Sequence, residues 1–198
     1  MVSWFEKEVI FMPAEKVDRR VRKTRALLQQ GLMQLMREKE IKDISVKELT
    51  DLVDINRGTF YLHYTDIYDM LDKIENEIFQ EFNDILDRDI IKETQSHSPN
   101  EVLTDIFVLL DRNRDIGRIM LGPHGDLAFV NRLKNLVEER TRYVMAQAYT
   151  AEQPEYLSSF IISGCVGIIE TWLNHPNPLP PEELAALCGK LLCQGVTG

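Results

Sequence analysis

The sequence has no alternating apolar–polar run long enough to predict a β-strand, and it is poor in Cys, Gly and Pro. Its 198 residues include 3 Cys, 10 Gly and 8 Pro, with no internal repeat or low-complexity tract. Apolar residues make up 44% of the chain, an ordinary share for a globular protein. Most segments instead repeat apolar residues at helical spacing. The sequence therefore predicts an all-α chain of about nine helices.

Catalytic and metal-binding motifs are missing as well. The four histidines lie in four different segments, at His63, His97, His124 and His175. No His-x-x-x-His pair, Cys-x-x-Cys pair, Gly-rich phosphate loop or Gly-x-Ser-x-Gly turn occurs. The many Asp and Glu residues fit the solvated faces of long helices. We therefore expect neither an enzyme nor a cofactor or metal.

The sequence also lacks a pattern typical of export. Residues 1–15 contain an apolar cluster that charged residues interrupt, so it is too short and too charged for a signal peptide or a membrane span. We interpret this segment as an N-terminal extension. An odd number of cysteines without a secretory signal fits reduced, mostly buried thiols and a cytoplasmic location. The three cysteines are Cys165, Cys188 and Cys193.

Charge is distributed unevenly along the chain, whose net charge is −9. Residues 16–65 contain 11 Lys or Arg and 7 Asp or Glu, a net charge of +4, whereas residues 66–198 contain 11 and 22, a net charge of −11. Six basic residues and one acidic residue lie between Lys16 and Arg25. A basic N-terminal region on an acidic body is typical of a local phosphate-binding surface. A solvated helix start is the alternative interpretation.

Three short helices are predicted within the basic region. The first covers about residues 19–38 and buries one apolar face. A capping box, Ser45-Val-Lys-Glu48, begins the second helix. Asp54 suits a left-handed turn position and Asn56 suits a helix N-cap, so a third helix is predicted over residues 57–64. Two short helices joined by such a turn are typical of a helix-turn-helix, whose last helix enters the DNA major groove.

The last of these helices has two kinds of residue. Phe60 and Tyr64 are four positions apart and are predicted to face inward. Arg57 can donate two hydrogen bonds to a guanine, and Gly58 allows a close approach of backbones. Three further side chains can donate hydrogen bonds to phosphate oxygens: Thr59, Tyr61 and His63. For the two aromatic ones, an ordinary pair of surface or half-buried residues is the alternative.

The segment from Ile44 to Tyr64 resembles the signature of the TetR family of transcription regulators. Its most specific part is Arg-Gly-Thr-Phe-Tyr-x-His followed by an aromatic residue. The basic helix before it and the long helix after it lie where this family has them, so the resemblance covers about residues 18–86. It implies an all-α homodimer with a helix-turn-helix DNA-binding domain over residues 16–65 and a ligand-binding and dimerisation domain over residues 66–198.

The resemblance also implies which residues meet double-stranded DNA. The first helix has Thr24 and neighbouring basic residues near the DNA backbone, and the N-terminus of the second helix meets a phosphate. The start of the recognition helix reads bases. The complete predicted set is Arg22, Thr24, Ser45, Lys47, Arg57, Gly58, Thr59, Tyr61 and His63.

Two positions depart from the family pattern. The family usually has Gly in the turn, where this chain has Asp54, and Lys at the start of the fourth helix, where this chain has Ile67. The second change removes one expected phosphate contact. The stretch from Asp66 to Leu71 resembles a branch of the family that includes activators of dihydroxyacetone-kinase operons. That branch makes control by a protein partner the alternative to control by a small molecule.

The C-terminal half contains a candidate dimer interface. Gly inside a helix costs about 1 kcal/mol relative to Ala, so the small residues near the middle of the eighth helix indicate close packing by another helix. We expect this helix and the Leu-rich last helix to pair with their symmetry mates, with packing inside one chain as the alternative. The predicted interface residues are Ser163, Gly164, Gly167, Leu187 and Leu191.

Aromatic and Met side chains between the fifth and eighth helices are candidates for a ligand pocket, although such residues are more often core. The candidates are Phe107, Met120, Phe129, Tyr143 and Trp172. Together, the resemblance and these features predict a repressor that a small-molecule effector releases from a palindromic operator. No membrane partner is expected.

Overall fold

The computed structural model describes residues 19–91, 99–148 and 154–194, and these residues contain no β-strand. The predicted N-terminal extension lies outside them. The described ranges contain nine α-helices and one 3₁₀ turn at residues 41–43, so the all-α prediction is confirmed. The helices are α1 Arg19–Met36, α2 Val46–Leu52, α3 Arg57–Tyr61, α4 Ile67–Ile91, α5 Pro99–Arg112, α6 Arg114–Met120, α7 Leu127–Ala148, α8 Pro154–Asn174 and α9 Pro181–Gln194.

Helices α1, α2 and α3 form a small head around a shared apolar core. Leu28 and Leu32 of α1, Leu49 of α2 and Phe60 of α3 have no exposed surface. The same core continues into α4 through Met70 and into α6 through apolar residues of that short helix. The head is therefore attached to the rest of the chain by continuous packing.

Local side-chain chemistry begins and ends the head helices. The Ser45 hydroxyl accepts a hydrogen bond from the Glu48 N–H at 3.1 Å, whereas the Glu48 carboxylate pairs with Lys39 at 2.5 Å instead of returning to Ser45. Only half of the predicted capping box is therefore formed. The Asn56 Oδ1 accepts from a backbone N–H of the first turn of α3 at 2.7 Å. Asp54 has a φ of 53°, the left-handed conformation that was predicted for it.

Helices α1 and α2 come very close together at Gly31. A Cβ added there would lie 2.4 Å from Val53 Cγ1 and 2.9 Å from Leu49 Cδ1. Both distances are shorter than carbon atoms tolerate, so this crossing requires a residue without a side chain.

Helices α4 to α9 form the body. Helix α5 packs mainly on α9, α7 packs on α8, and α4 contacts both α5 and α7. One apolar cluster surrounds Phe107, Trp172 and Leu173, and another surrounds Phe82 and Leu136. The short helix α6 contacts α1 of the head and α8 of the body. It is therefore the element that joins the two.

Candidate DNA-binding surface and effector cavity

The recognition helix α3 is shorter than predicted. It ends at Tyr61, and a turn replaces the helix that the sequence predicts as far as Tyr64. The N–H groups of His63 and Tyr64 donate to the Phe60 carbonyl at 2.9 and 3.0 Å, which closes this turn. Phe60 and Tyr64 are 0% and 4% exposed and point into the head core, as predicted.

The residues predicted to meet DNA along α3 remain accessible. Arg57 and Gly58 are exposed, and Tyr61 is 57% exposed. Thr59 and His63 are half-buried. We call the stretch from Arg57 to His63 the recognition edge. It presents polar groups to solvent while the buried aromatic residues fix its position.

Neighbouring helices hold the recognition edge from behind. The Arg25 Nε of α1 donates to the Tyr64 hydroxyl at 3.4 Å, and the same guanidinium pairs with Glu77 of α4. These contacts, first of all the one with Tyr64, raise the pKa of Arg25. The Lys73 ammonium of α4 donates to the His63 carbonyl at 3.1 Å. The edge is therefore positioned by α1 and α4 together.

Basic residues of the head supply free positive charge beside this edge. Arg22, Lys47 and Arg57 are exposed and form no ion pair with any described residue. Thr24 is half-buried on α1, next to Arg25, the last residue of the basic cluster. Ser45 is exposed at the N-cap of α2. Charge for phosphate contacts is thus available on all three head helices.

The start of α4 is not a phosphate site. Ile67 is 4% exposed and packs into the head core. The Asp66 carboxylate accepts from the Asp69 N–H at 2.8 Å, and the Asp69 carboxylate accepts from the Thr65 N–H at 2.8 Å. The Thr65 hydrogen bond lowers the pKa of Asp69. The two carboxylates therefore already satisfy two backbone amides at the start of α4 and place negative charge there.

The body encloses an apolar cavity of about 190 Å³ between α4, α5, α6, α7 and α8. All but four of its lining residues carry aliphatic, aromatic or Met side chains. The four exceptions are Asn113, Gly117, Lys134 and Cys165. The apolar residues are Ile78, Phe82, Leu103, Ile106, Phe107, Leu109, Leu110, Ile116, Met120, Leu121, Phe129, Val130, Leu133, Val137, Ile161, Ile162, Val166 and Ile169.

The predicted pocket residues have different positions relative to this cavity. Trp172 lies outside it, because its indole N–H donates to the Leu179 carbonyl at 2.7 Å and its ring packs 4.1 Å from the Arg114 guanidinium carbon. It lines a separate surface groove with residues of α8 and α9 instead, so its predicted position in this cavity is corrected, while a ligand role stays a prediction. Tyr143 lies on α7, but its side chain is outside the described part of the structure. The remaining three line the cavity: Phe107, Met120 and Phe129.

Sequence reasoning missed the polar residues of the cavity wall. Lys134 lies four residues after Val130 and three before Val137, so helical spacing on α7 could have identified it. The Asn113 amide already donates to a backbone carbonyl of α5 at 2.9 Å. Burial raises the pKa of the Cys165 thiol, which keeps it protonated and unreactive. Lys134 is therefore the charged group of the wall.

Helix α6 connects the cavity to the head. Ile116 and Met120 line the cavity and also belong to the apolar core that contains α1 and α3. On the surface, the Arg37 guanidinium of α1 pairs with Asp115 of α6 at 2.6 Å. Helix α6 therefore contacts both the cavity and α1 of the head.

Helix α6 is also fastened to the C-terminal end of α8. The Arg118 Nε donates to the Leu173 carbonyl at 2.6 Å, and the Arg114 Nη1 donates to the carbonyls of Trp172 and Leu173 at 3.2 and 3.3 Å. These carbonyls are among the last in α8 and have no partner within the helix, so cations stabilise them.

The predicted dimer face is uncovered in the subunit. Ser163, Gly164 and Gly167 are exposed, and a Cβ added at either glycine would meet nothing within 4 Å. Leu187 of α9 is 44% exposed, and Leu191 is half-buried. Among the described residues, none covers these glycines, contrary to the alternative of packing within one chain.

Helix α8 is unusually apolar for a helix at the surface. Residues 155–174 are long and apolar enough to cross a membrane by length and composition, yet only 17% of them are buried in the subunit. Tyr156 and Phe160 are 80% and 76% exposed. A second subunit that covers α8 would account for this composition without a membrane.

Glu75 is a buried carboxyl group where α4 leaves the head. It is 6% exposed, and its Oε1 has no hydrogen-bond partner among the described residues. Burial, together with the nearby carboxylates of Asp126 and Asp72, raises its pKa to about 7, although the Arg132 guanidinium acts in the opposite direction. The group is therefore partly protonated near neutral pH.

Comparisons with known proteins point to one family. A model of the TetR group described as "Transcriptional regulator C-terminal region" matches residues 97–194. The HTH-type transcriptional regulator YxbF of Bacillus subtilis (strain 168), described as uncharacterized, is 25% identical over 185 residues, which cover 86% of this chain. The chain spans about half the length of this curated relative, with 45% of it covered.

Solved structures of regulators share the whole fold. A TetR transcriptional regulator from Streptococcus agalactiae is 21% identical, with a TM-score of 0.57 and coverage of 88% of this chain and 96% of that one. FadR from Bacillus subtilis in complex with stearoyl-CoA is 16% identical, with a TM-score of 0.61 and coverage of 86% and 98%. In sequence and in fold, the chain is similar to TetR-family transcriptional regulators.

The family model and the relatives are those of transcriptional regulators and not of enzymes, in agreement with the sequence prediction. The domain boundaries, the DNA-contact residues and the pocket and interface residues stay predictions, with the position of Trp172 corrected. The resemblance of residues 66–71 to the activator branch also stays a prediction. At these low identities, the solved structures establish the fold alone.

Proposed function

We propose that this protein is a cytoplasmic homodimeric repressor of the TetR family that binds a palindromic operator and leaves it when a small apolar molecule fills the body cavity. The accessible recognition edge, from Arg57 to His63, is the observation on which this proposal rests. Its donors lie on a segment that Phe60 and Tyr64 fix from within the head. Such a preorganised polar edge suits insertion into the major groove.

The charges of the head support binding to double-stranded DNA. Arg57, at the start of α3, is positioned to donate to the O6 and N7 of a guanine. Arg22 and Lys47 are free to contact phosphates on either side, and Tyr61 and His63 add hydrogen-bond donors. Because lysine and arginine contacts with phosphates release counterions, the affinity for DNA should fall steeply as the salt concentration rises.

The exposed apolar face of α8 supports a homodimer. A small-residue stripe allows two copies of α8 to approach closely, and α9 contributes Leu187 and Leu191 beside it. A twofold dimer would present its two recognition edges about 34–36 Å apart, one turn of B-DNA. An operator with two inverted half-sites is therefore expected.

The contacts of α6 supply a physical route from effector to operator. A ligand that fills the cavity would press on Ile116 and Met120, which also pack against the head core. A shift of α6 would then change the angle of α1 and the separation of the two recognition edges. The FadR structure with stearoyl-CoA bound supports an apolar effector for a protein of this fold.

DNA selection tests the first part of this proposal. The protein is incubated with random duplexes at two salt concentrations, and the bound pool is sequenced. We expect a palindrome whose half-site centres lie about one helical turn apart. Arg57→Ala should lose about 1–3 kcal/mol of binding free energy and relax the preference at one base position.

Arg112→Ala is the matched control, because Arg112 is an exposed arginine on α5 and is not part of the recognition edge. It should bind the selected operator like the unmodified protein. A uniform loss across all DNA sequences for Arg57→Ala would mark Arg57 as a phosphate contact. Failure to enrich any palindrome would overturn the proposed operator.

Control by a protein partner is the second candidate, and the exposure of Tyr68 at the start of α4 favours it. Tyr68 is 56% exposed within the segment that resembles the activator branch. A thermal-shift screen with small metabolites should raise the melting temperature if a ligand binds the folded state. No shift, together with a stoichiometric protein in native pull-downs, would favour the partner. A promoter–reporter assay distinguishes repression from activation.

A further inference from the structure

The size and the apolar wall of the cavity suit an apolar ligand better than water. An engineered cavity of about 150 Å³ with a wall of Leu, Ile and Phe stays dry and binds benzene. The cavity here measures about 190 Å³ and has the same kind of wall. Water would find few hydrogen-bond partners in it, whereas an alkyl chain would gain contacts with every side.

One charged side chain borders this apolar space. Lys134 is the only charged residue among those that line the cavity. It is half-buried and makes no hydrogen bond or ion pair with any described residue. The surface that lines the cavity is almost wholly apolar, so Lys134 contributes its aliphatic stem to the wall, and its flexible ammonium can reach the rim. No acidic side chain lines the cavity to neutralise this charge.

An unpaired cation beside a space of low dielectric constant selects the charge of a ligand. It attracts an anion, and it repels a second cation by the same amount of Coulomb energy. The other polar wall residues offer little competition, because the Asn113 amide donates to its own helix and the Cys165 thiol stays neutral. The charge preference of the cavity therefore depends on Lys134.

We propose that the effector is an alkyl carboxylate whose linear tail fills the cavity and whose acid group pairs with Lys134. This assignment rests on the proposed effector role of the cavity and adds a ligand class to it. The tail supplies affinity by burial of methylene groups. The head group supplies selectivity, because a neutral or cationic head leaves the Lys134 ammonium unpaired or repelled.

The limited volume predicts an optimum tail length. Each buried methylene should tighten binding about fourfold while space remains. Once the tail exceeds the cavity, further methylenes should bring no gain. A series of straight-chain carboxylates with roughly six to twelve carbons should therefore show affinity that rises with tail length and then reaches a plateau.

Isothermal titration of the full-length protein with three ligands of one tail length tests the head group. The ligands are sodium octanoate, 1-octanol and octylammonium chloride at one pH and salt concentration. Octanoate should bind at least about tenfold more tightly than octanol, because its carboxylate forms a charge-assisted hydrogen bond with Lys134. Octylammonium should bind most weakly of the three.

Three variants separate the charge of Lys134 from its bulk. Lys134→Met keeps a long apolar stem and should reduce the preference for octanoate over octanol to less than about threefold. Lys134→Arg keeps the charge and should retain the preference. Lys42→Met removes a different, exposed lysine of the head and should change nothing.

The outcomes distinguish this inference from the proposed function. Equal binding of octanoate and octanol, or an unchanged preference in Lys134→Met, would overturn the carboxylate and leave an apolar effector in place. Tightest binding of octylammonium would also overturn it. Binding of none of the three ligands would contradict the effector role of the cavity itself.

Discussion

The head packs its glycine and apolar residues closely, whereas the body leaves glycines and an apolar face exposed. In the head, Gly31 is covered by side chains of α2 so closely that no Cβ fits. In the body, Gly164 and Gly167 of α8 have no atom near the place of a Cβ, and Phe160 of the same helix is 76% exposed. The head completes its own packing, whereas the body leaves a face and a cavity unfilled.

This difference matches what each region is expected to do. A surface that reads DNA gains affinity from rigidity, because no ordering cost is paid on binding. A region that senses a ligand needs space for it and packing that can adjust. We therefore expect substitutions in the head to change mainly the stability of the fold. Substitutions in the body should change mainly the association of subunits.

The head core should be the most sensitive part of the chain. Phe60 has no exposed surface and contacts both α1 and α2 through the shared core, so Phe60→Ala should cost about 3–5 kcal/mol of unfolding free energy. Urea denaturation followed by circular dichroism measures this loss. Leu62→Ala, two residues away at a site that is 79% exposed, is the matched control and should change stability little.

Equal effects of these two substitutions would contradict the described packing of α3. If Phe60→Ala cost less than about 1 kcal/mol, the head would have to be a loosely packed unit that orders only on DNA. The contrast between head and body would then be reversed.

Glu75, at the junction of head and body, should make stability depend on pH. Its pKa of about 7 in the folded chain exceeds the ordinary value of 4.5, so the folded state binds the proton more tightly than the unfolded state. Stability should therefore fall as pH rises from about 4.5 to about 7 and stay low above that. The difference is on the order of 2–3 kcal/mol.

Glu75→Gln removes this titration while keeping the shape of the side chain. We expect the variant to be more stable than the unmodified protein at pH 8 and no more stable at pH 5, as measured by chemical denaturation at both pH values. Glu183→Gln, at an exposed site on α9 that forms no ion pair with any described residue, is the control. A pH profile that Glu75→Gln leaves unchanged would assign the dependence to other groups.

Gly31→Ala should destabilise the head by a smaller amount. The added methyl group would overlap Val53 and Leu49, and overpacking of this kind costs about 1–3 kcal/mol. Thermal denaturation and operator affinity should both decline, because α2 positions α3. Retained stability with reduced DNA affinity would show instead that α2 shifts without unfolding the head.

The structure of the head could be predicted from the sequence because local chemistry determines it. The N-caps at Ser45 and Asn56 and the left-handed Asp54 involve contacts a few residues apart, which spacing reveals. The length of α3 was overestimated, since the turn after Tyr61 depends on how Phe60 and Tyr64 enter the core. Such an ending is a tertiary effect.

The cavity could not be predicted in the same way, because five helices from distant parts of the chain build it. Residue type alone predicted Phe107, Met120 and Phe129, and the same reasoning included Trp172, which lies outside this cavity. Its indole N–H is satisfied by Leu179, a contact that no periodicity indicates. Lys134 was missed because a lysine within an amphipathic helix resembles an ordinary surface residue.

Gly167→Ala gives the smallest expected change in subunit stability and the clearest test of the contrast with Gly31. Nothing lies near its Cβ position, so the better helix propensity of Ala should stabilise the separate subunit by about 1 kcal/mol. If a second α8 packs on this face, the same methyl group should weaken association, and sedimentation equilibrium should show a higher dissociation constant. Ser163→Ala, a change of similar size on the same helix that adds no atoms, is the control. A dimer that Gly167→Ala leaves unaltered would remove this face of α8 from the interface, and the exposed apolar residues of the body would then need a different partner.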